Sequence, residues 1–137
     1  MHNLKRRKIL FIDHESGHGG SSISLYNKIK LFSKKDSNIS IILKKKSYLV
    51  KKYKNLNVKV YYLEIPTITS LRKLRSNIIS YIKFFFKFLI FNFKNKEFYS
   101  FINQFDYVHL NHENLFWLLK FIKSYNKNIK ISINIRT

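Results

Sequence analysis

The chain has 137 residues, enough for one domain, and carries 27 Lys plus Arg against 7 Asp plus Glu, a formal charge of +20. Its 45% hydrophobic and 17% aromatic content excludes intrinsic disorder, and its lack of Cys excludes a disulfide scaffold or thiolate metal site and suits a reducing compartment. The charge points to anionic partners, but Lys (22), Ile (19), Asn (14), Phe (13) and Tyr (9) supply 77 residues, with no Ala at all, and these are the types that A/T-rich codons favour.

A basic arm, residues 1–7, leads into KILFID at 8–13, an apolar run that predicts a buried parallel strand. The apolar part, Ile9 to Ile12, is shorter than the roughly 7–15 residues of a secretory signal, so no leader is expected. Residues 14–20 read as a loop. Ser21 and Ser22 then offer N-caps for a helix reaching about Ser33. NISIIL at 38–43 predicts a second strand, 44–53 a short basic helix, and 57–63 a third strand. Pro66 belongs to a loop. A long helical pattern covers about 70–95 and a shorter one 96–104. Residues 107–111 predict a fourth strand, 115–125 an apolar helix, and 129–135 a fifth strand.

Strands alternating with helices predict an α/β fold, a doubly wound parallel sheet of the Rossmann-like kind. Ligands of such sheets bind beyond the carboxyl ends of the strands, near the switch in strand order. The candidates are therefore residues 14–22, Lys44 to Lys46, Glu64, residues 111–114 and Arg136.

All three glycines, Gly17, Gly19 and Gly20, fall within four positions of that first edge loop. A glycine-rich turn opening a helix lets a ligand approach bare backbone, and the free N–H groups favour phosphate. The string from Gly17 to Ser22 matches G-x-G-x-x-G with Ser22 in the last place. The acidic residue that would hold a ribose is replaced by Lys44-Lys45-Lys46, which excludes an ordinary NAD site and suits a 2′-phosphate such as that of NADP. His14-Glu15-Ser16-Gly17-His18 also spells H-E-x-x-H. That motif works on a helix, and glycines flank its second His, so no metal site is expected.

Between 71 and 96, Lys73, Lys83, Lys87 and Lys94 share one helical stripe with Ser76 and Ser80, and the rest is apolar. Such a helix either lies in an anionic membrane interface or covers a sheet behind a solvated lysine stripe. Its apolar run is too short to span. Tyrosines interleaved with lysine invite a nucleic-acid partner, but no recognised nucleic-acid-binding signature is present and that partner is disfavoured. His109, Asn111, His112 and Glu113 cluster at the fourth strand end and suggest a polar pocket.

KILFID followed by HGGSS, the helix after it, the strand FDYVHLN and the closing strand ISINIRT, in this order, resemble the N-terminal domain of family 4 glycosyltransferases. Those enzymes have two Rossmann-like lobes, the GT-B fold. The resemblance covers nearly the whole chain. It implies an acceptor-binding lobe for a surface-polysaccharide or lipid-linked glycan. It places Gly19 and Gly20 beside the substrates and His109, Asn111 and Arg136 along the cleft, with His109 and Arg136 as catalytic candidates; Ser21 and His112 join them as substrate-binding candidates by their places in the glycine loop and at the fourth strand end. Many members carry a His where this chain has Arg136, and a guanidinium holds phosphate or carboxylate better than it serves as a base. The resemblance implies a nucleotide-sugar donor and no other cofactor. The donor needs a C-terminal lobe whose signature this sequence lacks, so the chain alone is expected to be inactive and to work with a separate donor-binding lobe. A cytoplasmic protein able to dock on the inner membrane face is the corresponding expectation.

Overall fold

A computed structural model describes residues 7–17, 19–34, 37–68 and 78–135. Five strands form one parallel sheet: β1 (Lys8–Asp13), β2 (Asn38–Leu43), β3 (Lys59–Tyr62), β4 (Tyr107–Leu110) and β5 (Lys130–Ile133), in the order β3-β2-β1-β4-β5. The chain winds outward from β1 to β3, then crosses back to lay β4 on the free side of β1. The switch in strand order therefore falls between β1 and β4.

Isoleucine-rich strands with alternating faces explain two cores rather than one. Ile9, Phe11, Ile39, Ile41 and Leu43 face α1 (Gly20–Ser33) and α2 (Leu49–Asn55). Leu10, Ile12, Ile42, Val108 and Leu110 face the other side. There α3 (Ile78–Lys94), α4 (Glu97–Ile102) and α5 (Trp117–Tyr125) supply the cover. The α/β doubly wound class predicted from the sequence is the one observed.

Element bounds shift where loop contacts outcompete local propensity. The basic helix predicted from 44 starts at Leu49, because residues 44–47 are drawn under the first loop. The Lys45 N–H donates to Ser16 Oγ at 2.9 Å. Ser21 and Ser22 do not cap α1. Gly19 (φ +87°) holds the cap position without a side-chain bond, and both serines are buried in the first turn. The third strand keeps only four residues, Lys59–Tyr62, and Leu63 onward runs irregularly. The first part of the long helical pattern, through Asn77, lies mostly outside the described residues.

Gly17 is fixed by two constraints. Its φ is +93°, and a Cβ there would lie 2.6 Å from Ser47 Oγ. Left-handed backbone costs an L-residue about 1–2 kcal/mol and the clash adds to it. Gly17→Ala should thus lower unfolding free energy by about 2–3 kcal/mol, read by urea denaturation. A loss below about 0.5 kcal/mol would mean that the loop tolerates a side chain.

Candidate functional site

Parallel register builds the edge. Ile12 pairs with Leu110, so one step further the chain sets Asp13 beside Asn111, and the next sets His14 beside His112. Asn111 N–H donates to Ile12 O at 3.0 Å, and Asn111 Nδ2 donates to Asp13 Oδ1 at 3.2 Å. The His14 and His112 rings then meet edge to face, with centroids 4.7 Å apart. Four of the chain's seven acidic residues, Asp13, Glu15, Glu64 and Glu113, sit at this carboxyl edge, which they share with Lys44, Lys45 and Lys46.

Asp13 is 1% exposed. Its Oδ2 accepts from Ser22 Oγ at 2.7 Å, and its Oδ1 accepts from the Glu15 N–H as well as from Asn111. Ser22 Oγ in turn accepts the buried Gly17 N–H at 3.0 Å. One buried carboxylate thus ties the loop, the first turn of α1 and the β4 end together. Ser21 Oγ donates to Glu15 Oε2. The sequence marks residues 14–22 as edge candidates but points neither to Asp13 nor to a bonding role for Glu15. The available signal was the closing Asp of KILFID with two serines a turn into the next helix.

The expected site residues separate into groups. Gly19 and Gly20 are exposed, and no atom of the described residues lies within 4 Å of a Cβ built on Gly20, which leaves the backbone approachable there. Ser21 and Asn111 are buried and hold the edge rather than face it. His112 is half-exposed, and its Nδ1 accepts the Asn114 N–H at 3.2 Å. Arg136 and Lys73 lie outside the described residues, as does His18. Residues 14–17 form a loop, which is not the helical geometry of a zinc-protease motif.

His109 lies below the edge, buried on the α1 side of the sheet. Lys28 Nζ stands 3.4 Å from its Nε2, and Ser132 Oγ stands 2.6 Å from its Nδ1. An ammonium can only donate, so Nε2 accepts and the ring proton sits on Nδ1, directed at Ser132. Burial first, and the Lys28 charge second, push its pKa from 6.5 down to about 4. The imidazole is neutral and occupied at both nitrogens. This placement takes it away from the open edge. His14 is shifted in the same direction by burial and then by the neighbouring His112.

A second feature adjoins the edge. Beyond β2 and β3, a cleft of about 460 Å³ is lined by Lys44, Glu64, Pro66, Lys87, Ile90 and Lys94 among others. Lys44 pairs with Glu64 at 2.9 Å, and this pairing holds the Glu64 carboxyl below its usual range. Lys87 and Lys94 are exposed on α3, as is Lys83.

α3 covers the sheet with one side and leaves the other to the surface. Its inward side is a narrow aromatic strip. Phe84, Phe88 and Phe91 pack around Trp117, whose indole N–H donates to Pro66 O at 2.8 Å. The lysines flank that strip. The outward side is apolar: Ile78, Ile82, Phe85, Phe86, Leu89 and Phe93 recur every three or four residues and stay exposed, Phe93 by 78%. No described helix is long and apolar enough to cross a membrane.

These features define a class, a doubly wound α/β domain with a polar cluster at its switch point. No protein-family model matches the chain, nor does any curated protein or solved structure.

Proposed function

We propose that the chain is the acceptor-binding lobe of a glycosyltransferase that works at an anionic membrane surface on a lipid-linked glycan. The observation that carries this reading is the outward apolar face of α3 beside a lysine-lined cleft at the ligand edge of the sheet. A lipid-linked acceptor has the matching parts: an apolar tail, a phosphate and a hydroxyl-rich sugar. The tail suits the apolar face, and the phosphate suits Lys44, Lys87 and Lys94. The sugar hydroxyls suit the carboxylates and imidazoles of the switch point, with Gly19 and Gly20 leaving room for approach. The nucleotide-sugar donor would belong to a separate lobe, because its leaving diphosphate needs cationic stabilisation of its own and Lys44, Lys87 and Lys94 are taken by the acceptor phosphate. The same carboxylates weigh against the alternative, a dinucleotide module for NADP. Its pyrophosphate would face Asp13 and Glu15 at the start of α1.

Vesicle co-sedimentation tests the reading. Each lysine near an anionic surface contributes about 1 kcal/mol, so Lys83, Lys87 and Lys94 together predict roughly a hundredfold preference for anionic over neutral vesicles. The triple change K83E/K87E/K94E should erase the preference, and Phe85→Glu with Phe86→Glu should weaken binding to both kinds. Adding a polyprenyl-phosphate sugar to the vesicles should tighten binding further. Equal binding to neutral and anionic vesicles, no response to the lipid-linked sugar, or tight NADP binding would overturn it.

A further inference from the structure

We propose that His14, Glu15 and His112 form a three-donor site for a divalent transition ion, with zinc the best match. One donor atom from each residue lies within 4.8 Å of the other two. Donors bound to tetrahedral zinc at about 2.0–2.2 Å stand roughly 3.4 Å apart, so side-chain shifts on the order of 1 Å would close the set. Two imidazoles and one carboxylate are a donor set that zinc takes, whereas calcium and magnesium prefer all-oxygen surroundings. The inference is independent of the transferase reading.

The surroundings support a cation. His14 Nδ1 is buried and finds no hydrogen-bond partner among the described residues, which leaves a ring nitrogen in need of one. Glu15 is already oriented by the Ser21 hydroxyl, and its N–H is anchored on the buried Asp13. Supports of this kind behind a ligand fix its direction and sharpen affinity. His112 must give up one contact, because the ion and the Asn114 N–H compete for the ring. Either the ion replaces that N–H at Nδ1, or it binds Nε2 and the ring proton moves to Nδ1. The lost bond is long, 3.2 Å, and weakens ion binding only by roughly fivefold. Three protein donors leave a fourth position for water or a ligand oxygen.

The donor set is not the H-E-x-x-H string. It takes His14 and Glu15 from the β1 edge and its second imidazole from the β4 edge, 98 residues on from His14 in the chain. The test uses the full chain with zinc chloride in equilibrium dialysis and cobalt(II) as the spectroscopic probe. One equivalent should bind in the micromolar range or tighter, with the intense visible bands of low-coordinate cobalt. His112→Asn should weaken binding at least tenfold. Asn still offers the oxygen acceptor that the Asn114 N–H needs, so folding is preserved and a thermal melt verifies it. His14→Asn should act alike, and Glu113→Gln should leave binding unchanged. Failure to bind at roughly millimolar zinc would overturn the site. So would binding that survives His112→Asn but is lost in His18→Asn.

Discussion

Replacing Asp13 with Ala is expected to remove about 4 kcal/mol of folding free energy, most of what a small domain has. The carboxylate is buried and accepts from Ser22 Oγ, Asn111 Nδ2 and the Glu15 N–H. Hydrogen bonds to a charged group each contribute about 1.5–3 kcal/mol, and their donors would be stranded without water. Asp13→Asn keeps the shape but aims an amide N–H at a donor, so an intermediate loss of about 2 kcal/mol is expected. Urea denaturation reads both, and the Asn variant remains measurable if the Ala variant does not fold. Losses below about 1 kcal/mol in both would show that the ligand edge holds together without the carboxylate.

Lowering the pH from 7 to 4 should cost about 3 kcal/mol through His109 alone. The sign follows from the direction of its shift. Its pKa is 6.5 when unfolded and about 4 when folded, so between these values the unfolded chain holds a proton that the folded chain cannot. Stability is fully present above about pH 6.5, declines as pH falls through that window, and levels off below 4. His14 adds a contribution of the same sign. His109→Gln should flatten the dependence relative to the unaltered chain. If the two pH profiles run parallel, His109 is already charged in the folded state and its pairing with Lys28 is not as described.

The strands were legible because β-branched and aromatic runs buried on two faces have few alternatives. KILFID and NISIIL are observed with the predicted bounds. The helix starts were less legible. Ser21 and Ser22 have the chemistry of caps, yet a buried aspartate nine residues earlier claims Ser22, and Glu15 claims Ser21. Local sequence cannot weigh such a competitor, because its strength comes from burial. The same holds for His109 and His112. They are three residues apart and look equivalent, but strand alternation and the strand end put one under α1 and the other at the open edge. For α3 the sequence showed amphipathicity but not which side the core would take. The choice was made by Trp117, whose indole gathers Phe84, Phe88 and Phe91.

The β1–β4 pairing has a consequence for how the chain is made. β1 finds β2 about thirty residues later, and β2 finds β3 soon after, so these strands can associate while synthesis continues. The other side of β1 must wait for residues 107–110 to emerge. Until then Leu10 and Ile12 have no neighbour on that flank, and Asp13 has no Asn111. Such long-separated parallel pairing forms slowly and leaves a strand edge exposed meanwhile. The polar edge is therefore completed only late in synthesis, once β4 has emerged. A nascent chain halted before β4 would carry the glycine turn and the first four helices but no completed polar cluster, and it would depend on chaperones to stay unaggregated.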